Sequence, residues 1–301
     1  MGYHNPVLLN ECLQGLSVKP EGIYVDVTFG GGGHSKSILS ELDKGKLFAF
    51  DQDKSAIAND LNQPNFKLIN ANFRYFKNFL RMEDVKKIDG VLADLGVSSH
   101  QFDIADRGFS TRLEGKLDMR MDKNSSLSAY DVINDYSESD LANVLYKYGE
   151  LRNSRKIAKI ITDARKVTII NTTSQLNNQI SSLVPEKYKN QFLARVFQAI
   201  RIEVNDEIKA LEEMLLSAVD LLKPKGRLVV LSYHSLEDRL VKNLIKKGNF
   251  SGVIEKDFFG NPKKVFKEIN SKVIVASKRE VKKNSRARSA KLRIAERINV
   301  N

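Results

Sequence analysis

The 301-residue chain holds a single cysteine, Cys12. One thiol excludes an internal disulfide and any zinc site built on cysteine. No apolar run approaches the ~20 residues needed to cross a bilayer. The opening stretch MGYHNPVLLNE lacks the charged-then-apolar pattern of a secretory leader. A reducing, cytoplasmic address with no membrane partner is therefore the expectation. The four histidines, His4, His34, His100 and His234, show no HExxH or other metal-ligand spacing, so no metal is expected. Ser232-Tyr233-His234-Ser235 is not a GxSxG elbow, which leaves serine hydrolysis without support. Internal repeats and low-complexity linkers are missing too. Acidic residues are in the minority, 37 against 49 Lys+Arg, for a net charge of +12. That excess suggests a polyanionic partner, with nucleic acid the first candidate.

Apolar residues make up 42% of the chain, enough for a real core. The first hundred residues alternate apolar runs with amphipathic stretches. Ile23–Phe29, Lys46–Asp51, Phe66–Asn70 and Ile88–Leu95 read as strands. Ser35–Leu42, Lys54–Leu61 and Phe73–Met82 read as helices between them. Such alternation predicts βαβ units and a parallel sheet covered on both faces. From about Ser99 to Glu203 no convincing strand appears, Val167–Ile170 being the one candidate. Helical segments fill that span, which predicts a mostly helical insertion. Ile200, Val204, Ile208, Leu211, Leu215, Val219 and Leu222 form one apolar stripe, read as a single long helix. Lys223-Pro224-Lys225-Gly226 ends it, and Arg227–Ser232 resumes the sheet. Leu236–Lys247 is a further helix and Lys272–Ser277 a last strand. The expected domains are 1–104 and 204–301, forming one α/β body, and 105–203, the helical insertion.

Chemistry is concentrated at strand ends. Asp26-Val27-Thr28-Phe29-Gly30-Gly31-Gly32-Gly33-His34-Ser35 places four glycines between a strand and a helix. Glycine there allows positive φ and close approach of a ligand to the backbone, although any tight turn uses glycine the same way. Asp51 ends the second strand, where a carboxylate can accept hydrogen bonds from two ribose hydroxyls. That arrangement suits either NAD or S-adenosylmethionine. Two features favour the second. Asp26 sits where it can face a cationic group, and Ser35 breaks the GxGxxG spacing that a pyrophosphate uses. Asp94 ends the fourth strand, and is either a loop cap or part of the same site. Near the C-terminus, Arg286-Ala287-Arg288 and Lys291-Leu292-Arg293 can contact phosphates, or form a solvated basic tail.

Taken together, these strings resemble the bacterial S-adenosylmethionine-dependent 16S ribosomal RNA (cytosine-N4)-methyltransferases. The resemblance runs nearly end to end, through HNPVLLNE (4–11), TFGGGGHS (28–35), DLGVSS (94–99), RGFS (107–110), LDMRMD (117–122), FQAIRIEVN (197–205), SYHSLEDR (232–239) and RARSAKLRIAER (286–297). It implies an α/β class I methyltransferase (Rossmann-like) doubly wound sheet, with a helical insertion that helps bind substrate. It implies S-adenosylmethionine contacts at Gly32, Gly33, His34, Asp51, Phe73, Asp94 and Gln101, to which the residue reading adds Asp26. The expected partner is 16S ribosomal RNA or the small ribosomal subunit. The chain departs from the family pattern in its GGGG loop, in His100, where proline is frequent, and in YKNQFLARVFQ, which lacks a common His-Pro pair.

For such a reaction the amino nitrogen of cytidine, whose lone pair is delocalised, needs an acceptor for its proton. Asp94 and Ser98 are the candidates, because Asp-Leu-Gly-Val replaces the (Asp/Asn/Ser)-Pro-Pro-aromatic motif of other amino-methyltransferases. No metal is needed when the leaving group is a neutral thioether. Tyr233, Phe102 and Phe109 are candidates to stack on an unstacked base. Two other classes share part of the pattern. A nicotinamide-dependent oxidoreductase would leave Asp26 and the basic tail unexplained. A non-catalytic RNA-binding assembly factor would leave the strand-end carboxylates unexplained.

Overall fold

The structure, a computed structural model, describes residues 6–299, apart from the side chain of residue 99. His4 and Asn5, which begin the HNPVLLNE run, lie outside the described residues. Two compact units are present. One takes the chain up to Gly96 and again from Ile208 onward, and the other is Val97–Glu207.

The first unit starts with α1 (Leu9–Leu16), β1 (Ile23–Asp26), α2 (Gly33–Glu41), β2 (Lys46–Asp51), β3 (Phe66–Asn70), α3 (Phe76–Met82) and β4 (Ile88–Asp94). The four strands pair in parallel, with Val25 opposite Phe48 on one side and opposite Val91 on the other. Their apolar runs are near-continuous because both faces of a parallel sheet are covered. Val25, Phe50, Val91 and Ala93 join α3 residues Phe76 and Leu80 in one core. On the other face, Tyr24, Leu47 and Leu92 pack with Leu16 and Ile38.

The second unit is helical: α4 (Ser99–Asp103), α5 (Ala129–Asn134), α6 (Glu138–Gly149), α7 (Ser154–Val167), α8 (Thr173–Ile180) and α9 (Glu186–Asn205). Ser98, Ser128 and Thr172 open α4, α5 and α8 with reciprocal capping boxes to Gln101, Asp131 and Gln175. Leu141, Leu145, Ile157, Ile161, Val196 and Ile200 meet in its core.

The chain returns to the first unit through α10 (Glu207–Leu221), β5 (Leu222–Ser232), α11 (Ser235–Lys247), β6 (Phe266–Glu268), β7 (Ile274–Val275), α12 (Lys278–Lys283) and β8 (Lys291–Arg297). Strand order is β3-β2-β1-β4-β5-β8-β6, with β7 also on β8. β5 is parallel to β4, and β8 is antiparallel to β5. This is the doubly wound, Rossmann-like sheet of a class I methyltransferase, carrying a mostly helical inserted segment. The connections reverse direction between β1 and β4, so the ligand crevice falls beyond the carboxyl ends of those strands. Among the described residues no helix is long and apolar enough to cross a membrane.

Several local expectations are corrected. The apolar stripe from Ile200 to Leu222 is not one helix. Asp206 adopts a left-handed conformation (φ 48°) and caps α9 on the Glu203 and Ile202 carbonyls, and α10 starts afresh. Leu222 lies on β5, as do Lys223, Pro224, Lys225 and Gly226, where the ladder to β4 shifts register. Val167–Ile170 is not a strand, since α7 runs to Val167. Residues 54–61 form a 3-10 turn at Lys54–Asn59 rather than a full α-helix. The strand expected at Lys272–Ser277 is only Ile274–Val275. The last strand is instead KLRIAER, which reads from sequence as part of a basic tail. Leu292 and Ala295 are fully buried there, and the apolar alternation is masked by the intervening charges.

Candidate active site

The strand-end carboxylates each do different work in the first unit. Asp26, at the end of β1, is 1% exposed. Its Oδ1 accepts from the Thr28 backbone N–H (3.0 Å) and hydroxyl (3.3 Å). Its Oδ2 accepts from the Ser35 hydroxyl at 2.7 Å. Asp26 thereby ties the end of β1 to the first turn of α2 and sets the shape of the glycine loop. It holds a negative charge beneath that loop with its hydrogen-bonding capacity largely spent on the protein. Ser35 reads from sequence only as a break in a glycine pattern. Its role as partner of Asp26 depends on α2 turning its first residues back onto β1.

The glycine loop leaves Phe29 through Gly30 (φ 51°) and Gly32 (φ 74°), both in the left-handed region that favours glycine. A Cβ on Gly30 would meet nothing within 4 Å, whereas one on Gly32 would lie 2.9 Å from the Phe29 ring. Gly32 is the N-cap of α2 and offers no side-chain cap, so first-turn N–H groups are left for solvent or a ligand. Gly33 lies against Pro6, 2.4 Å from where its Cβ would stand.

Asp51 closes β2 and reaches back to this loop. Its Oδ2 accepts from the Gly30 N–H and its Oδ1 from the Asp53 N–H, both at 2.8 Å. Burial pushes its carboxyl up to about 6, against those two backbone donors. Each oxygen keeps a lone pair that can take a hydroxyl donor, as a ribose diol requires. Asn59 steadies the loop from the other side by donating to the Gly30 carbonyl at 3.0 Å.

Asp94 ends β4. The Tyr233 hydroxyl donates to its Oδ1 at 2.6 Å, and His34 Nδ1 stands 3.8 Å from its Oδ2. Burial raises the Asp94 carboxyl, opposed by His34 and by the tyrosine donor. Burial and the neighbouring Asp94 charge raise the Tyr233 hydroxyl well above its ordinary value. His34 is itself buried, with Nε2 3.1 Å from the Val7 carbonyl. The Asp94 backbone N–H donates to Thr28 Oγ1 at 2.6 Å, which joins β4 to the loop held by Asp26. Tyr233, a candidate stacking platform by sequence, is thus the hydrogen-bond partner of Asp94. No spacing in the sequence signals this, because the two are 139 residues apart.

Phe73 begins the 3-10 turn after β3, is half-buried, and rests against the core of the first unit. The structure thus brings Asp26, Gly32, Gly33, His34, Asp51 and Asp94 together at the carboxyl edge of the parallel strands, with Phe73 after the next strand. An uncapped helix start, a carboxylate suited to a diol and buried negative charge together fit a nucleoside-type ligand bearing a positive centre.

Ser98 and Gln101 belong to the helical unit. The Ser98 N–H donates to Gln101 Oε1 at 3.1 Å, and Ser98 Oγ accepts from the Gln101 N–H at 3.3 Å. Gln101 is buried. Phe109 is buried in the core of this unit, 6.4 Å edge-on from Phe102 and under the Arg107 guanidinium at 5.7 Å. It therefore packs the core and is not a free stacking surface. The C-terminal basic residues also differ from expectation. Arg293 Nε binds Asp238 Oδ1 at 2.7 Å and Lys291 Nζ approaches Oδ2 at 3.4 Å, so this part of the tail is paired internally.

Residues 1–298 match the MraW methylase family. The chain is 56% identical over 299 residues to the ribosomal RNA small subunit methyltransferase H of Flavobacterium johnsoniae, covering 99% of each chain. It is 56% identical over 296 residues to the protein of the same name in Phocaeicola vulgatus, covering 98% of this chain and 97% of that one. Among solved structures it is similar to an rRNA methylase from Streptococcus thermophilus, at 13% identity and a TM-score of 0.43, over 96% of this chain and 93% of that one. With the family matched over residues 1–298 and a relative 56% identical over 299 residues, the chain belongs to the MraW methylase family.

Proposed function

We propose that the protein methylates the exocyclic N4 of a specific cytidine in 16S ribosomal RNA of the small ribosomal subunit, using S-adenosylmethionine. The observation that carries this reading is the grouping of Asp26, Asp51 and Asp94 around the glycine loop at the strand ends. The names of the close relatives support the ribosomal substrate.

In this reading Asp51 accepts the ribose hydroxyls and Phe73 lies against the adenine. Gly32, Gly33 and His34 hold the methionine end at the start of α2, and Gln101 is proposed as a further contact. The buried charge of Asp26 complements the positive centre. Bound S-adenosylmethionine would supply an electrophilic methyl group whose leaving group is a neutral thioether. The chain's task is then alignment of the nucleophile and removal of its proton. Asp94 takes the N4 proton as the bond to carbon forms, with Tyr233 fixing its orientation. Ser98 is the alternative acceptor. The target base leaves its stack to reach this edge. Residues 105–203 serve as the substrate-recognition domain, and exposed lysines and arginines supply phosphate contacts. The reaction is placed in the cytoplasm, where its ribosomal substrate is found.

The test is incubation with methyl-labelled donor and undermethylated small-subunit RNA or particles, followed by nucleoside analysis. N4-methylcytidine is the expected product. Its absence from reactions with folded, donor-bound protein would overturn the reading.

A further inference from the structure

A hairpin between α11 and β6 exposes two aromatic rings that the site does not use. Phe258 is 98% exposed and Phe259 84% exposed. Two adjacent rings this open form a contiguous apolar patch, and it is such patches that mark interaction sites. Here the rings sit on a built turn. The Asp257 N–H donates to the Asn261 carbonyl at 2.9 Å, and the Gly260 N–H returns to the Asp257 carbonyl at 3.0 Å. The Asp257 carboxylate accepts from the Phe259 and Asn261 N–H groups at 2.9 and 2.8 Å. Lys256 bridges to Pro262, and the Lys263 N–H donates to the Glu255 carbonyl, which closes the base of the hairpin. The two rings lie edge to face with centroids 5.6 Å apart.

Charge around the tip selects the partner. Lys256, Lys263 and Lys264 are exposed beside the rings, and among the described residues no ion pair engages them. Asp257 turns its charge inward to the turn, which leaves Glu255 as the acidic neighbour. Flat apolar rings set among unpaired cations are what unpaired nucleobases on a phosphate chain require. We propose that the Phe258–Phe259 tip stacks on unpaired bases of the substrate RNA, while the adjacent lysines hold its phosphates. The proposal rests on the reading of RNA as substrate.

The topology also says which part of the RNA is touched. α11 starts at the carboxyl end of β5 and spans about 20 Å back along the sheet. The hairpin follows it, with the Lys263 carbonyl packed against Gly248 at the end of α11. The tip therefore lies toward the amino edge of the parallel strands, away from Asp94. It grips RNA remote from the reacting base, so its loss acts on KM and leaves kcat unchanged.

The chain has no tryptophan, so Phe258→Trp places its only tryptophan at the tip, to be excited selectively over the nine tyrosines. Its emission should be quenched when a single-stranded RNA taken from the small-subunit sequence is added to the full chain. The double variant F258A/F259A should bind that RNA about tenfold more weakly, and F258W/F259W should restore affinity. Donor affinity and kcat at saturating RNA should match wild type. Unchanged emission on RNA binding, or unchanged RNA affinity in F258A/F259A, overturns the proposal while leaving the RNA reading intact. Loss of binding to small-subunit particles alone, with naked RNA bound normally, assigns the tip to a protein and also overturns it. Failure of the wild-type chain to bind RNA at all overturns both readings.

Discussion

The Tyr233 hydroxyl donates to Asp94 Oδ1 at 2.6 Å and joins the end of β4 to the residue that follows β5. Burial raises the Asp94 carboxyl, and the tyrosine hydrogen bond opposes that rise. Removing the donor in Tyr233→Phe leaves an acceptor without its partner, at a cost of about 1–3 kcal/mol. Denaturant unfolding at neutral pH measures that cost. The same change raises the Asp94 carboxyl further, because the tyrosine hydrogen bond opposes the effect of burial. If ionised Asp94 takes the N4 proton, the acid limb of the kcat/KM profile moves to higher pH in Tyr233→Phe. An unmoved limb would assign the proton to another acceptor.

Asp51 gives a pH test in which stability and binding move oppositely. Its folded value, about 6, lies above the ordinary carboxylate value of roughly 4. Its contribution to stability is therefore full below about pH 4 and lost as pH rises through about 6. If Asp51 accepts the donor's ribose hydroxyls, its ionised form binds better and donor binding should weaken below about pH 6, by at most about tenfold for each further pH unit. Asp51→Ala should weaken donor binding about tenfold to a hundredfold and flatten this dependence. Calorimetric titration across pH 5–8 checks both; unchanged affinity in Asp51→Ala would remove Asp51 from the donor site.

Gly32→Ala tests the loop. The substitution puts a Cβ 2.9 Å from the Phe29 ring at a φ of 74°. A loss of about 1–2 kcal/mol in stability is expected, along with weaker donor binding. Gly30→Ala has the same sign of φ but open space around the Cβ, so its fold should suffer less. Thermal unfolding of the two variants, compared with their donor affinities, separates steric strain from loss of ligand space.

The C-terminal cations divide into two groups. Burial works to raise the Asp238 carboxyl, but Arg293 and Lys291 hold it below its ordinary value. Arg293→Ala should cost about 1–3 kcal/mol at neutral pH. A lowered folded value gives stability that is present above the ordinary carboxylate range and lost as pH falls, so the gap from wild type should close below about pH 4. Its RNA salt dependence should stay unchanged. Alanine at the exposed Lys282, Lys283 and Arg288 should instead reduce the salt slope, by about 0.7 for each phosphate no longer neutralised.

The parallel strands were readable because burial on both faces demands long apolar runs, as in IDGVLAD and KLFAFD. Asp51 and Asp94 were readable because a polar residue closing such a run stands at its carboxyl edge. β8 was hidden, since KLRIAER carries charges at the positions that face Asp238 and the Arg227–Glu296 pair. The break at Asp206 was hidden as well, because an apolar stripe at helical spacing continues in phase across it and nothing marks a left-handed aspartate.

Sequence by itself determined the family, the glycine loop and the strand-end carboxylates, because local chain chemistry and extended strings carry that information. Tertiary structure alone decided the partners. Asp26 meets Ser35 because α2 folds back on β1. Asp94 meets Tyr233 because β4 and β5 are adjacent in the sheet, though 139 residues separate the two side chains. It also divided the opening excess of positive charge. Charges on β8 are paired within the fold, while those on the Phe258–Phe259 hairpin are left facing solvent. A charge's neighbours are set by packing, which no linear spacing records.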